Sequence, residues 1–238
     1  MNLVMPTAKN FLLIPGFMCD DSLWQAILPG LQRLGRIQLA DLNHGNTIEA
    51  MAEHIIIAMP DDCIVLGFSL GGYVAREIAL RAPHKVARLI LLNTSSRAST
   101  EEELKYNQQL ISISKNPNFK GQPIRAFQRT LHPDRQNQAE LLAQLQAMSK
   151  HLGIEVFQRQ LGLIRVDGTV SLARISCPTL VIASRNDQMR TVEESENLVN
   201  GIPGASMHII EDCGHMSVLE KPLEVLAYID NWLKKQPL

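Results

Sequence analysis

Short apolar runs recur along the chain and alternate with segments whose apolar residues fall every three to four positions. The runs are Phe11 to Ile14, Ile37 to Leu39, Cys63 to Leu66, Leu89 to Leu92, Leu180 to Ala183 and Met207 to Ile210. Rich in Val, Ile and Leu and without regular polar alternation, they predict parallel strands covered on both faces. Between them, Ile48, Met51, Ala52, Ile55 and Met59 keep a helical stripe, with Asn46 as the expected N-cap, Glu49 three residues later and Pro60 as the stop. Val74, Ile78 and Ala82 repeat the pattern until Pro83. Thr191 with Glu194 opens another helix that Gly201 ends, and Val225, Leu226, Ile229, Trp232 and Leu233 mark a last one. Strand and helix in alternation predict an α/β fold with a doubly wound, mostly parallel sheet.

The alternation lapses between residues 95 and 167. That stretch is rich in Gln and Asn, has no strand-like run, and shows helical patches such as Leu141, Leu145, Met148 and Leu152. It predicts an inserted helical cap over 95–167, with 1–94 and 168–238 forming the core. Tyr106, Phe119, Phe127, His132, Met148 and Phe157 are expected to pack as the interior of that cap.

Composition narrows the partners. The 238 residues suit one large domain or one core with an insertion. With 45% hydrophobic and 20% charged residues the chain is neither disordered nor fibrous. Twenty-three basic against 24 acidic side chains leave a net charge of -1, with no basic face to neutralise phosphates, so nucleic acid is not an expected partner. The first apolar run is too short for a signal peptide or a membrane span, which predicts a cytoplasmic protein. Cys19, Cys63, Cys177 and Cys213 have no CxxC spacing. They are expected to be reduced thiols, mostly in the core, rather than metal ligands or a disulfide framework.

Candidate chemistry lies in Gly67-Phe68-Ser69-Leu70-Gly71-Gly72, directly after the run Cys63 to Leu66 and at the start of the helix containing Val74. A G-x-S-x-G sequence between a buried strand and a helix fits a sharp turn that lifts a serine hydroxyl clear of the sheet. Residues at 67 and 71 must be small, because a side chain there would meet neighbouring backbone. A serine hydroxyl is a weak nucleophile, so it needs a base, and the base needs an acid to orient it. In this architecture the order is serine, acid, histidine. Asp187 follows the run Leu180 to Ala183, and His215 follows Met207 to Ile210. Asp212 and Glu211 compete for the acid role but lie beside the histidine on one loop. Two backbone donors are needed for the developing oxyanion. Leu70 supplies one; Phe17, in Pro15-Gly16-Phe17-Met18, is the candidate for the second, with Met18 as its alternative.

These segments, in this order, resemble the α/β-hydrolase superfamily, in particular small cytosolic carboxylesterases with a helical lid. Leu13-Ile14-Pro15-Gly16 through Trp24, the Asp41 to Gly45 loop, Gly67 to Gly72, Ile175 to Ile182 and Cys213-Gly214-His215 carry the likeness. Pro15 stands where the family usually has His, and Ser184 where it usually has Gly. The two antiparallel strands that often open the fold are expected to be shortened or absent. The resemblance implies attack by Ser69 on a small or medium acyl ester, proton transfer through His215, orientation by Asp187, an acyl-enzyme and release by water, with no metal or organic cofactor. Thioester or C–C bond hydrolysis, acyl transfer, and a ligand receptor without turnover are the alternative readings.

Overall fold

The computed structural model describes residues 9–235. Six strands, β1 (Lys9–Ile14), β2 (Gly35–Leu39), β3 (Cys63–Phe68), β4 (Val86–Leu92), β5 (Thr179–Ser184) and β6 (Ser206–Ile210), contain the six apolar runs. All pair in parallel in the order β2-β1-β3-β4-β5-β6. The opening antiparallel strands considered above would precede β1 and lie outside the described residues.

The helices are α1 (Leu28–Gln32), α2 (Ile48–Ala58), α3 (Leu70–Arg81), α4 (Glu101–Ser114), α5 (Ile124–Gln128), α6 (Ala139–Leu161), α7 (Val192–Gly201), α8 (Ser217–Glu220) and α9 (Pro222–Lys235). Side chains alternate across a strand, so each run divides between two cores. Phe11, Leu13, Ile64, Leu66, Ile90, Leu92, Leu180 and Ile182 face one side with Trp24, Val225, Ile229 and Trp232. Leu12, Ile14, Val65, Leu89, Leu91 and Val181 face the other, with Met51, Ile55, Val74, Ile78 and Leu198 of α2, α3 and α7. Both faces of the inner strands are therefore dry. The edge strands depart from the expectation: β2 is half-exposed along its length, and β6 is fully buried only at Ile210. Among the described residues each has a neighbouring strand on one side only.

Local signals held with one shift. Thr47, not Asn46, caps α2, its hydroxyl accepting from the Ala50 N–H at 3.1 Å. The side chain must sit at the extended residue immediately before the first turn, and Thr47 occupies that place. Thr191 accepts from Glu194 N–H as its spacing predicts.

Residues 95–167 contain α4, α5 and α6 and no strand. The chain leaves and rejoins the sheet at adjacent points, where Ser99 N–H donates to Arg165 O at 2.8 Å and Gly168 N–H to Ser96 O at 2.8 Å. Glu103, the third residue of α4, accepts from Arg97 and Arg165 across this junction, and Arg97 also pairs with Glu194 of α7. Helix α6 changes direction at Gly153, whose φ of 77° suits glycine. Phe127, His132, Met148 and Phe157 are buried and Phe119 is half-buried, but Phe127 and Met148 pack into the core beneath the sheet with Trp24 and Leu131 and not into a separate cap interior. Tyr106 does not: it is 55% exposed on the outer side of α4. Among the described residues no helix is long and apolar enough to cross a membrane, and no cluster of three or more His, Cys, Asp or Glu could hold a metal ion. All four cysteines are free; Cys19, Cys63 and Cys213 are buried and Cys177 is half-buried.

Candidate active site

In the order β2-β1-β3 the chain winds outward on both sides of the β1–β3 boundary, which opens a crevice at the carboxyl ends of those strands. The loop after β1 carries Phe17, and the turn after β3 carries Ser69. Ser69 is held at φ 51°, ψ -111°, a conformation an L-residue avoids and the surroundings enforce. Its N–H donates to Leu92 O at 2.9 Å, and Thr94 Oγ1 donates to its carbonyl at 2.7 Å. Glycine at 67 and 71 is required by space: a Cβ on Gly67 would lie 2.4 Å from Gly71 O, and one on Gly71 would lie 2.2 Å from Ile14 O. Gly16 abuts the serine in the same way, its virtual Cβ 3.3 Å from Ser69 Cβ.

Three distant side chains meet in this crevice. His215 Nε2 lies 2.9 Å from Ser69 Oγ, and His215 Nδ1 lies 2.7 Å from Asp187 Oδ2. The His215 ring packs against Phe68, with centroids 5.2 Å apart. Asp187 is almost wholly buried. Burial by itself would raise its pKa, but the facing His215 and several hydrogen bonds outweigh that and hold it below the ordinary carboxylate value. Its Oδ1 accepts from the N–H groups of Met189 and Arg190, at 2.7 and 2.9 Å. The competing acids sit elsewhere: Glu211 pairs with Arg185 on the surface, and Asp212 is exposed and offers its backbone carbonyl to Arg135.

The two candidate oxyanion donors also separate. Gly16 to Cys19 form a turn closed by Cys19 N–H donating to Gly16 O at 3.2 Å. Met18, third in that turn, has φ 51°, and its N–H donates to Gln160 Oε1 at 2.8 Å. The Met18 amide is thus committed to Gln160.

Across residues 47–222 the chain matches the family model described as the alpha/beta hydrolase fold. It belongs to the α/β-hydrolase fold family. This hydrolase is 26% identical over 248 residues to a pimeloyl-[acyl-carrier protein] methyl ester esterase of Aromatoleum aromaticum, covering 93% of this chain and 97% of that one. It is 25% identical over 239 residues to the biotin biosynthesis bifunctional protein BioHC of Cellvibrio japonicus. That match takes in 95% of this chain, which spans about half (48%) of the bifunctional protein. Among solved structures, a malate-bound thermophilic esterase from Thermogutta terrifontis superposes with a TM-score of 0.81 at 26% identity, over 96% of this chain and 90% of that one.

Several residues that hold the hydrolase's site together carry no spacing pattern in the sequence. Asn93, 1% exposed at the end of β4, donates from Nδ2 to Asp187 Oδ2 at 3.0 Å and to Ser184 Oγ at 2.9 Å. Its Oδ1 in turn accepts from Ser217 Oγ at 2.5 Å. Ser184, where the family more often has glycine, is therefore part of the lattice around the acid. Glu220 has a fully buried side chain that accepts from Gly214 N–H at 3.0 Å and His132 N–H at 2.8 Å, fixing the loop before His215. The one available signal was positional: Asn93-Thr94-Ser95-Ser96 is a polar tetrad directly after a buried strand, at the same sheet edge as Ser69, Asp187 and His215.

Burial pushes the thiols of Cys19 and Cys213, which flank the site in sequence, up to about 12. At neutral pH neither carries thiolate character, so neither is a competing nucleophile. A cleft of about 710 Å³ opens among the helices of 95–167, floored by Met18, Phe127 and Phe157 and edged by Lys115, Lys120 and Lys150. It borders the turn after β1 and not Ser69 itself.

Proposed function

We propose that the protein is a serine hydrolase that cleaves a small or medium acyl carboxylic ester through an acyl-enzyme. Ser69 is the nucleophile, His215 the general base and then acid, Asp187 the group that orients and stabilises the imidazole, and the N–H groups of Phe17 and Leu70 the oxyanion hole. The observation that carries this reading is the unbroken file Ser69 Oγ, His215 Nε2, His215 Nδ1, Asp187 Oδ2, with contacts of 2.9 and 2.7 Å. Such a file has no structural purpose that a buried apolar cluster would not serve better, since an ionised buried carboxylate is expensive to keep. The esterase activity of the relatives supports an ester as the bond that breaks.

The chemistry follows from the donors. Asp187 accepts the Nδ1–H of His215, which leaves the Nε2 lone pair facing Ser69. As Oγ attacks the carbonyl carbon, its proton moves to Nε2 and the carbonyl oxygen becomes an oxyanion received by two amides. Collapse expels the alcohol, which takes the proton from Nε2. Water then repeats the sequence on the acyl-serine, releasing the acid and restoring the hydroxyl. No step needs a metal or organic cofactor.

Residues 95–167 are proposed to act as a cap on the core 1–94 and 168–238, with the cleft bordered by Met18 and Phe157 as the approach for the acyl group. A fluorophosphonate probe followed by peptide mapping tests the triad. Labelling at Ser69, and p-nitrophenyl butyrate hydrolysis lost in Ser69→Ala, are the expected results. A folded protein that leaves Ser69 unlabelled refutes catalysis and favours a receptor. Turnover of acyl thioesters or vinylogous diketones well above that of p-nitrophenyl esters would reassign the bond.

A further inference from the structure

We propose that Gln160 is a positioning residue for the oxyanion hole, reaching from α6 to set the turn that presents the Phe17 amide; this rests on the hydrolase reading above. Gln160 is 4% exposed, in the last turn of α6, and 142 positions away in sequence from the Met18 amide it touches. Its Oε1 accepts from Met18 N–H at 2.8 Å, and its Nε2 donates to Leu42 O at 3.4 Å. One carboxamide therefore joins the loop after β1 to the loop after β2. Arg159 adds a bond from the neighbouring position to Asn43 O.

Removing this side chain matters because of where strain is held. A residue at φ 51° in the third place of a four-residue turn is a position for glycine or asparagine, and here it is methionine. The turn is closed by a single long backbone bond of 3.2 Å. The peptide between Phe17 and Met18 is held at both ends, weakly by Cys19 Sγ donating to Phe17 O at 3.4 Å and more closely by the Gln160 oxygen, which accepts from Met18 N–H at 2.8 Å. Phe17 is the preceding residue of the same turn, and its carbonyl belongs to the peptide whose N–H Gln160 holds. Without the Gln160 acceptor the Phe17–Met18 peptide is free to turn, and the neighbouring Gly16–Phe17 peptide, which carries the proposed oxyanion donor, is free to follow it.

Apolar contacts cannot replace the carboxamide. Phe17 packs on Phe157 with centroids 5.9 Å apart, and Met18 packs with Phe157 and Leu161. Those contacts hold the side chains at about the right depth but place no constraint on the direction of an N–H. Direction is what an oxyanion donor must supply. Leu70, by contrast, is fixed by the start of α3 and needs no such prop.

The proposal assigns Gln160 to the transition state and not to substrate capture, so it predicts a split between kcat and KM. Gln160→Leu and Gln160→Met keep bulk and lose the acceptor. Each is expected to lower kcat on p-nitrophenyl butyrate by about tenfold or more, the lower end of what loss of one oxyanion donor costs being about a hundredfold. KM is expected to stay within about threefold, because the ground-state carbonyl gains little from these amides. Gln160→Glu keeps an oxygen at the same reach and is expected to retain kcat within about fivefold of the parent, since a neutral or ionised carboxyl still accepts from Met18 N–H.

Rates are taken per active site, counted by end-point fluorophosphonate titration, so that a poorly folded fraction does not enter kcat. A purely structural glutamine would lower the titrated fraction and the melting temperature while leaving kcat per site unchanged. Leu and Met variants within about twofold of the parent per site overturn the proposal, as does a Glu variant as slow as the Leu variant. Should the parent itself fail to label, the hydrolase reading falls; should the parent label and turn over while the Gln160 variants match it, only the positioning role falls.

Discussion

Replacing Asp187 by Asn is the sharpest test of the site, because the surroundings dictate which way the new amide must face. Asp187 Oδ1 accepts from two backbone N–H groups, those of Met189 and Arg190. Neither can turn away, so the carbonyl oxygen of the introduced carboxamide must take that place. The NH2 then stands where Oδ2 was, 2.7 Å from His215 Nδ1 and 3.0 Å from Asn93 Nδ2. Both neighbours were donors. The imidazole can meet an NH2 only by presenting an Nδ1 lone pair, which moves its proton to Nε2 and points an N–H at Ser69. In the proposed mechanism the imidazole is then protonated on the atom that should take the serine proton. Loss of the correct tautomer in a Ser-His-Asp triad costs about 10⁴ in kcat, or about 5.5 kcal/mol at about 1.4 kcal/mol per tenfold. Asn93 has a further conflict, since its own NH2 now faces another donor inside a buried site, and such a pairing left unmade costs about 1–3 kcal/mol. The assay is p-nitrophenyl butyrate hydrolysis, with thermal unfolding measured alongside. The expected result is a kcat loss of about three to four orders of magnitude with a modest fall in melting temperature. A loss smaller than about tenfold would refute the tautomer reasoning, and an equal loss in Asp212→Asn with none in Asp187→Asn would move the acid.

Two further outcomes follow from single contacts. Gly71→Ala sets a methyl group 2.2 Å from Ile14 O and 2.4 Å from Pro15 O, both backbone atoms of a central strand and its exit. Overpacking of flexible cores costs about 1–3 kcal/mol, and here nothing flexible can yield, so the variant is expected to lose more than about 3 kcal/mol in urea unfolding; a loss under about 1 kcal/mol would show that the strand shifts freely. The hydrogen bond from Arg97 lowers the pKa of Glu103 from 4.5 to about 2, with Thr100 N–H and Arg165 adding to it against partial burial. A depressed acid contributes stability that is present above its unfolded value and lost as pH falls through the folded one. Parent and Glu103→Gln should thus differ in stability at about pH 6, above the unfolded value, with the gap closing between pH 4.5 and about 2; a gap that widens in acid would contradict the pairing.

Much of the core was legible because its signals are local. Each buried strand is a continuous apolar run, and the two-sided burial that produces such a run also produces the parallel sheet. The serine turn was legible for a different reason: Gly67, Ser69 and Gly71 are close in sequence and answer to one turn. That His215 and Asp187 would lie near it needed only the order of elements. The shift from Asn46 to Thr47 shows the limit of that reading, since both are good caps and only the backbone decides between neighbours. Exposure along β2 and β6 was not legible, because a strand's composition does not record whether it lies at an edge. Tyr106 escaped for a related reason: an aromatic residue on a largely polar helix such as α4 has no partner written near it. Asn93, Glu220 and Gln160 were hidden more deeply. Each acts on a backbone or carboxylate group far off in the chain, with partners separated by 94, 88 and 142 positions in their hydrogen bonds. Polar residues of this kind leave no periodic trace.

The paired segments where 95–99 meet 165–168 have an implication for how such molecules diversify. Because the long stretch between them begins and ends at one spot, that length of chain can be rewritten without altering the pairing of any strand, and the entropic penalty for lengthening or shortening it grows only with the logarithm of its size. A cassette transplanted at this doorway would inherit a finished sheet and the tight turn at Ser69. What it would have to bring with it is the one oxygen that keeps the neighbouring loop facing the right way.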